Sequence, residues 1–92
     1  MEDGLTWDLV EVERVLLDLL HRRGEGKTIC PSEVARQMDA EDWRDGMESV
    51  REVARQLEEK GKVEFLQRGE RVDPGSAKGP FRLRMSPGPN HA

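Results

Sequence analysis

At 92 residues the chain is long enough for one domain with a modest core, since a chain of this size buries only about 60–65% of its unfolded surface. Hydrophobic residues make up 35% of the chain and charged residues 37%, which is typical of a soluble globular domain with a charged surface. The sequence has neither an apolar run of bilayer length nor a signal-peptide start, so no membrane span is expected. The one cysteine cannot form an internal disulfide, which favours a cytoplasmic protein. The net charge of −4 is unevenly divided: residues 1–59 hold 8 Lys/Arg against 16 Asp/Glu, a net of −8, whereas residues 60–92 hold 7 against 3, a net of +4.

The first structural signal follows residues 1–6, which are predicted to be disordered. Asp8 is typical of a helix N-cap, because Glu11 occupies the capping-box position three residues later. Trp7 is placed to pack on Val12 as a hydrophobic staple. These residues indicate that the first helix begins at about residue 9.

The first helix is predicted over residues 9–22, and Gly24 ends it. Its apolar stripe, which recurs at helical period, consists of Leu9, Val12, Val15, Leu16, Leu19 and Leu20. Val10 and Leu17 lie off this stripe. Either the chain's own C-terminus covers them or they form a partner surface, for a protein partner or a weak homodimer.

The middle of the chain predicts a short strand followed by helical segments. The strand occupies residues 27–29, and a helix over 31–38 begins with a proline, which suits the first helical position. Ala35 is expected to face the next helix, because a small side chain allows two helices to approach closely. One turn at residues 42–44, with Trp43 packed as core, then leads to a long helix that ends at Lys60.

From Lys62 onwards the hydrophobic period changes to two. Residues 62–67 and 81–85 alternate apolar and polar side chains, which predicts two half-buried strands that pair antiparallel. The intervening RGERVDPGSAKG is rich in glycine and charge and contains Asp-Pro, which is typical of a loop. The tail over residues 86–92 is predicted to be disordered. The order of elements predicts an α+β winged helix-turn-helix domain over residues 7–85, with three helices and a small antiparallel β-hairpin as the wing.

Several segments together carry a family resemblance: ICPSEVAR, DWR, VREVARQLEEKGKVEF, a Val-Asp-Pro step and the ending GPFRLR. In this combination, which spans roughly residues 9–85, the chain resembles a bacterial family catalogued as a domain of unknown function. The resemblance implies a small winged-helix domain that is assumed to bind DNA. It supplies no catalytic residue.

The long helix is the candidate for reading a major groove. Arg44, Arg51 and Arg55 share one helix face, because their offsets of seven and four residues return to the same side. Residues 45–60, however, hold three positive and five negative side chains, so the helix is net acidic. The arginines either contact DNA or pair with glutamates three or four residues away on a solvated face.

A second group of cations surrounds the predicted hairpin, where outward-facing arginines and lysines suit phosphate contacts. Its members are Lys62, Arg68, Arg71, Lys78, Arg82 and Arg84. The alternative is that these charges protect an edge strand from aggregation. Phe65 and Phe81 are needed inside the core, so the hairpin offers no aromatic platform for single-stranded bases.

The sequence contains no pattern typical of catalysis, and we expect neither an enzyme nor a cofactor or small-molecule substrate. His21 and His91 lack cysteine partners, so no metal site is predicted. Cys30 precedes a helix N-terminus, where a thiolate is favoured, but a small buried residue is the more common role at such a position. Two functions remain: a DNA-binding, possibly regulatory domain that uses the hairpin for phosphates and the long helix for the groove, or a protein-interaction module of the same fold that does not bind DNA.

Overall fold

The computed structural model describes residues 7–76 and 78–87, which form three helices and four strands. The α+β class predicted from the sequence is confirmed. The elements in chain order are α1 (Leu9–Arg23), β1 (Thr28–Ile29), α2 (Pro31–Met38), a 3₁₀ helix (Trp43–Gly46), α3 (Met47–Glu59), β2 (Val63–Gln67), β3 (Glu70–Val72) and β4 (Arg82–Met85). The disorder predicted for residues 1–6 and for most of the tail, 88–92, falls outside the described residues.

The strands form one antiparallel sheet in the order β1-β4-β2-β3. The predicted pairing of the segments at 62–67 and 81–85 is confirmed, because β2 pairs with β4 and Phe65 lies opposite Leu83. The short strand predicted at 27–29 is present as β1 and extends the sheet on the other side of β4, with Ile29 also opposite Leu83.

The prediction of a plain loop between the two long strands is wrong, and so is the small hairpin sheet that it implied. Arg68 and Gly69 both have positive φ, 56° and 81°, and they form a tight turn that sends the chain back along β2 as β3. A two-residue hairpin turn of type I′ requires left-handed backbone at both central positions, and arginine adopts it much less readily than the asparagine common there. The sheet therefore has four strands, and the remaining loop is shorter.

The core lies between the helices and one face of the sheet. Helix side chains at period 3.6, among them Val12, Leu16 and Leu57, are fully buried against inward-facing Leu83. The Phe65 ring stacks on a second phenylalanine of the core, that of residue 81, with centroids 4.5 Å apart. None of the described helices is long and apolar enough to cross a membrane.

Helix α1 starts as predicted at the Asp8 cap, whose carboxylate accepts a hydrogen bond of 3.0 Å from the Val10 N–H. Glu11 forms an ion pair with Arg14. The Trp7 ring lies over Gly46, at the end of the 3₁₀ helix. The start of α1 is thus attached to the start of α3.

Candidate functional site

Arg51 is an exposed cation in the middle of α3. Its guanidinium carbon lies 5.2 Å from the centre of the Phe81 ring, a distance typical of a cation–π contact. It forms no ion pair with any residue that the structure describes. The ring therefore holds the guanidinium group by one face, while its N–H donors, which point outwards from the edge of that group, remain available to a ligand.

Arg55, one turn further along α3, is engaged within the protein. Its guanidinium donates to the Glu52 carboxylate at 2.7 and 3.3 Å and also lies 3.5 Å from a carboxylate oxygen of Glu59. The hydrogen bonds from Arg55 lower the pKa of Glu52, which keeps this carboxylate charged. In the free protein Arg55 is thus paired with glutamates three and four residues away, which was the alternative to DNA contact.

Two arginines lie over the ring of Trp43, in the 3₁₀ helix that precedes α3. The guanidinium carbons of Arg36 and Arg44 are 4.6 and 4.5 Å from the ring centre. Trp43, which was predicted to be packed as core, is half-buried: it packs against the core, and its ring also contacts both cations. Arg36 is not among the predicted site residues, because it lies on α2 and shares no helical period with Trp43.

The loop that connects β3 to β4, residues 73–81, is attached to the end of β2. The Gln67 amide donates to the carbonyl oxygens of Lys78 and Pro80, at 2.7 and 2.9 Å. Between hairpin and loop lies an open cavity of about 740 Å³, whose lining includes Arg68 and Lys78. Both cations are exposed and form no ion pair within the described part of the chain.

The hairpin cavity continues into the surface around Arg51. Pro80 lines that cavity and also a cleft of about 180 Å³ whose wall includes Arg51. A third cleft joins Arg51 to Arg55 and to Pro74 in the loop. The exposed face of α3 around Arg51 and the hairpin cations thus belong to one continuous surface, which we call the α3–loop face.

Three of the predicted cations lie instead on the face of the sheet that points away from the helices. The Glu64 carboxylate, only 5% exposed, accepts a hydrogen bond of 2.9 Å from Arg84 and lies 3.6 Å from Arg71. Arg82 donates to the Thr28 hydroxyl at 2.7 Å. These arginines stabilise the sheet, and they cover a strand that was predicted to be half-buried but is buried on both faces.

Lys62 lies at the opposite end of β2 from Arg68. There it lines a separate groove together with Leu17, Lys60 and Met85. Of the nine predicted site residues, the structure therefore groups four on the α3–loop face, Arg51, Arg55, Arg68 and Lys78. It places Arg44 against Trp43 in the 3₁₀ helix that precedes α3. It places Lys62 and the three sheet arginines elsewhere.

A family model described as "Protein of unknown function (DUF3253)" matches residues 10–86. The chain belongs to the DUF3253 family. This confirms the resemblance to a domain of unknown function, and the match covers all four strands and nearly all of the three helices. A search of curated proteins gives no match.

Cys30 of this DUF3253 domain is half-buried at the start of α2. Its Sγ is 3.1 Å from the Ser32 hydroxyl, and its N–H donates to the Glu33 carboxylate at 2.9 Å. Glu33 thus caps the helix, and Cys30 takes the N-cap position rather than a fully buried one. Among the described residues, no group of three or more His, Cys, Asp or Glu side chains is placed to hold a metal ion.

Proposed function

We propose that the domain is a winged helix-turn-helix that binds duplex DNA through the α3–loop face. In this proposal α2 and α3 are the helix pair, and β2 to β4 with their connections form the wing. The order of the elements supports this assignment, as does a sheet in which β4 lies between β1 and β2. A fold of this type leaves the exposed side of α3 free to enter a major groove.

The state of Arg51 carries the proposal. It is a cation at the middle of an exposed helix face, held by an aromatic ring and unpaired among the described residues. Guanidinium donors in that position suit the acceptor edge of guanine or a phosphate oxygen. Arg55 is positioned to assist only if DNA displaces the carboxylates that hold it.

The hairpin and loop supply the phosphate contacts in this proposal. Arg68 at the turn and Lys78 in the loop are exposed cations on the same continuous surface as Arg51. Arg36 and Arg44, stacked on Trp43, provide two further cations near the start of α3. Because α3 itself is net acidic, most of the affinity must come from phosphates, and binding should weaken steeply as salt is added.

Fluorescence anisotropy with a labelled random duplex, over a series of salt concentrations, tests the proposal. We expect Arg51→Ala and Lys78→Ala each to weaken binding and to flatten the log–log salt slope by about 0.9 per lost phosphate contact. Lys62→Ala is the matched control, because it removes the same charge at the far end of β2. Absence of salt-dependent binding by the wild type would refute the proposal, and an equal effect of the control would refute the assigned face.

The second candidate is a protein-interaction module that does not bind DNA. It is favoured by one observation on α1, where Val10 is 76% exposed beside the acidic Glu11 and Glu13. In this candidate function Val10 and its acidic neighbours form the part of α1 that a partner protein contacts. This function becomes the leading one if the anisotropy experiment detects no binding at low salt.

A further inference from the structure

A groove of about 500 Å³ lies on the side of the domain away from the α3–loop face. Its apolar walls come from Leu17 on α1 and Met85 on β4. Three basic side chains, His21, Lys60 and Lys62, surround them. None of the described residues that line this groove is acidic, although the whole chain has a net charge of −4. The groove therefore suits an apolar group with acidic neighbours.

Helix α1 itself carries such a group. Val10 is 76% exposed, and it stands on the same helix stripe as Leu17 and His21, seven and eleven residues further on. Around it lie Asp8, the exposed cap, and two nearby glutamates at positions 11 and 13. The same helix thus presents an exposed apolar side chain with acidic neighbours near its start, and it forms one wall of the basic groove near its end.

We propose that the occupant of the groove is α1 of a second copy of this chain, packed antiparallel. Val10 of each copy then contacts Leu17 of the other, so that the interface is self-complementary and closes as a twofold dimer. With the centre of the pair between residues 13 and 14, Glu13 of one copy faces Arg14 of the other. The acidic start of each helix lies beside the cations of the other copy's groove.

Charge complementarity distinguishes this occupant from an arbitrary apolar ligand. The start of α1 is acidic, whereas its end and the adjoining Lys60 and Lys62 are basic. A parallel pair would bring like charges together, and only the antiparallel pair brings opposite ones together at both ends. The inference does not depend on DNA binding, because the groove and the α3–loop face lie at opposite ends of β2.

Sedimentation velocity of the full chain, without DNA, over a concentration series that reaches the millimolar range tests the dimer. We expect the sedimentation coefficient of the wild type to rise with concentration. Val10→Lys should weaken association at least about tenfold, because it removes an apolar contact at both ends of the twofold interface and places a cation beside each basic groove. Gln37→Lys, which adds the same charge at an exposed position of α2, is the matched control and should not change association.

A charge exchange tests whether the two surfaces meet. Lys62→Glu alone should weaken association, since it places a carboxylate opposite the acidic helix start. The double variant Val10→Lys/Lys62→Glu should associate more tightly than Val10→Lys alone, because the new lysine then faces the new glutamate. A wild type that remains monomeric at every concentration would overturn the proposal. So would equal losses in Val10→Lys and the Gln37→Lys control, or no recovery in the double variant.

Discussion

Gly46 is the position at which a single methyl group should disturb the domain most clearly. A Cβ there would come within 3 Å of three atoms of the Trp7 ring, closer than packed atoms approach. The backbone φ of Gly46 is −101°, which alanine readily adopts, so the cost is one of space. The ring must move outwards, and losing roughly 100 Å² of its burial costs about 2.5 kcal/mol.

Gly46→Ala can be followed in two ways. The denaturant midpoint should fall, and in a Trp43→Phe background the remaining Trp7 emission should shift to the red as the ring enters water. Gly75→Ala is the control, because its Cβ would meet only Asp73, at an ordinary contact distance of 3.5 Å. An unchanged midpoint and emission in Gly46→Ala would show that the Trp7 ring does not lie over Gly46.

Two further predictions concern α2. Ala35 is completely buried and belongs to the core cluster, so Ala35→Leu should cost about 1–3 kcal/mol by overpacking, measured as a lower urea midpoint. An unchanged midpoint would contradict this packing. Burial acts to raise the pKa of Glu33, but the Cys30 N–H and the Arg23 guanidinium outweigh it and hold the pKa below its ordinary value of 4.5. The Glu33 carboxylate therefore stabilises the fold at pH values above its pKa in the unfolded chain, and this stabilisation is lost as the pH falls through its lower pKa in the folded protein. Glu33→Gln should lower the urea midpoint at neutral pH but not in strong acid.

Most of the fold could be predicted because the apolar period is clear in each segment. The predicted boundaries of α1 and α2 agree with the observed ones to within one residue, since a cap or a proline marks each start. Strand β3 could not be predicted, because its turn uses Arg68 at a position where the common signal is asparagine before glycine. The strand is only three residues long and two of them are charged, so it contains too little alternation to indicate a strand.

The candidate site was harder to predict, because sequence spacing shows which side chains share a face but not what they contact. Spacing placed Arg51 and Arg55 together correctly, yet only the three-dimensional arrangement sets the first on Phe81 and the second between two glutamates. Proximity in sequence also grouped Lys78 with Arg84. The alternation of β4 and the path of the loop place them on different surfaces.

Because Arg55 is paired with glutamates, we predict a substitution that increases affinity for DNA rather than reducing it. Glu52 holds this arginine by two hydrogen bonds, whereas the Glu59 carboxylate is 3.5 Å away. Glu52→Gln should therefore remove a negative charge from the α3–loop face and leave Arg55 only its weaker contact with Glu59, which DNA can displace. If the proposed function is correct, affinity for a duplex should rise and the log–log salt slope should steepen by about 0.9, one phosphate contact. Glu25→Gln removes the same charge from the exposed turn after α1, and it should raise affinity far less. Equal gains in the two variants would mean that net charge alone governs binding and that Arg55 makes no contact with DNA.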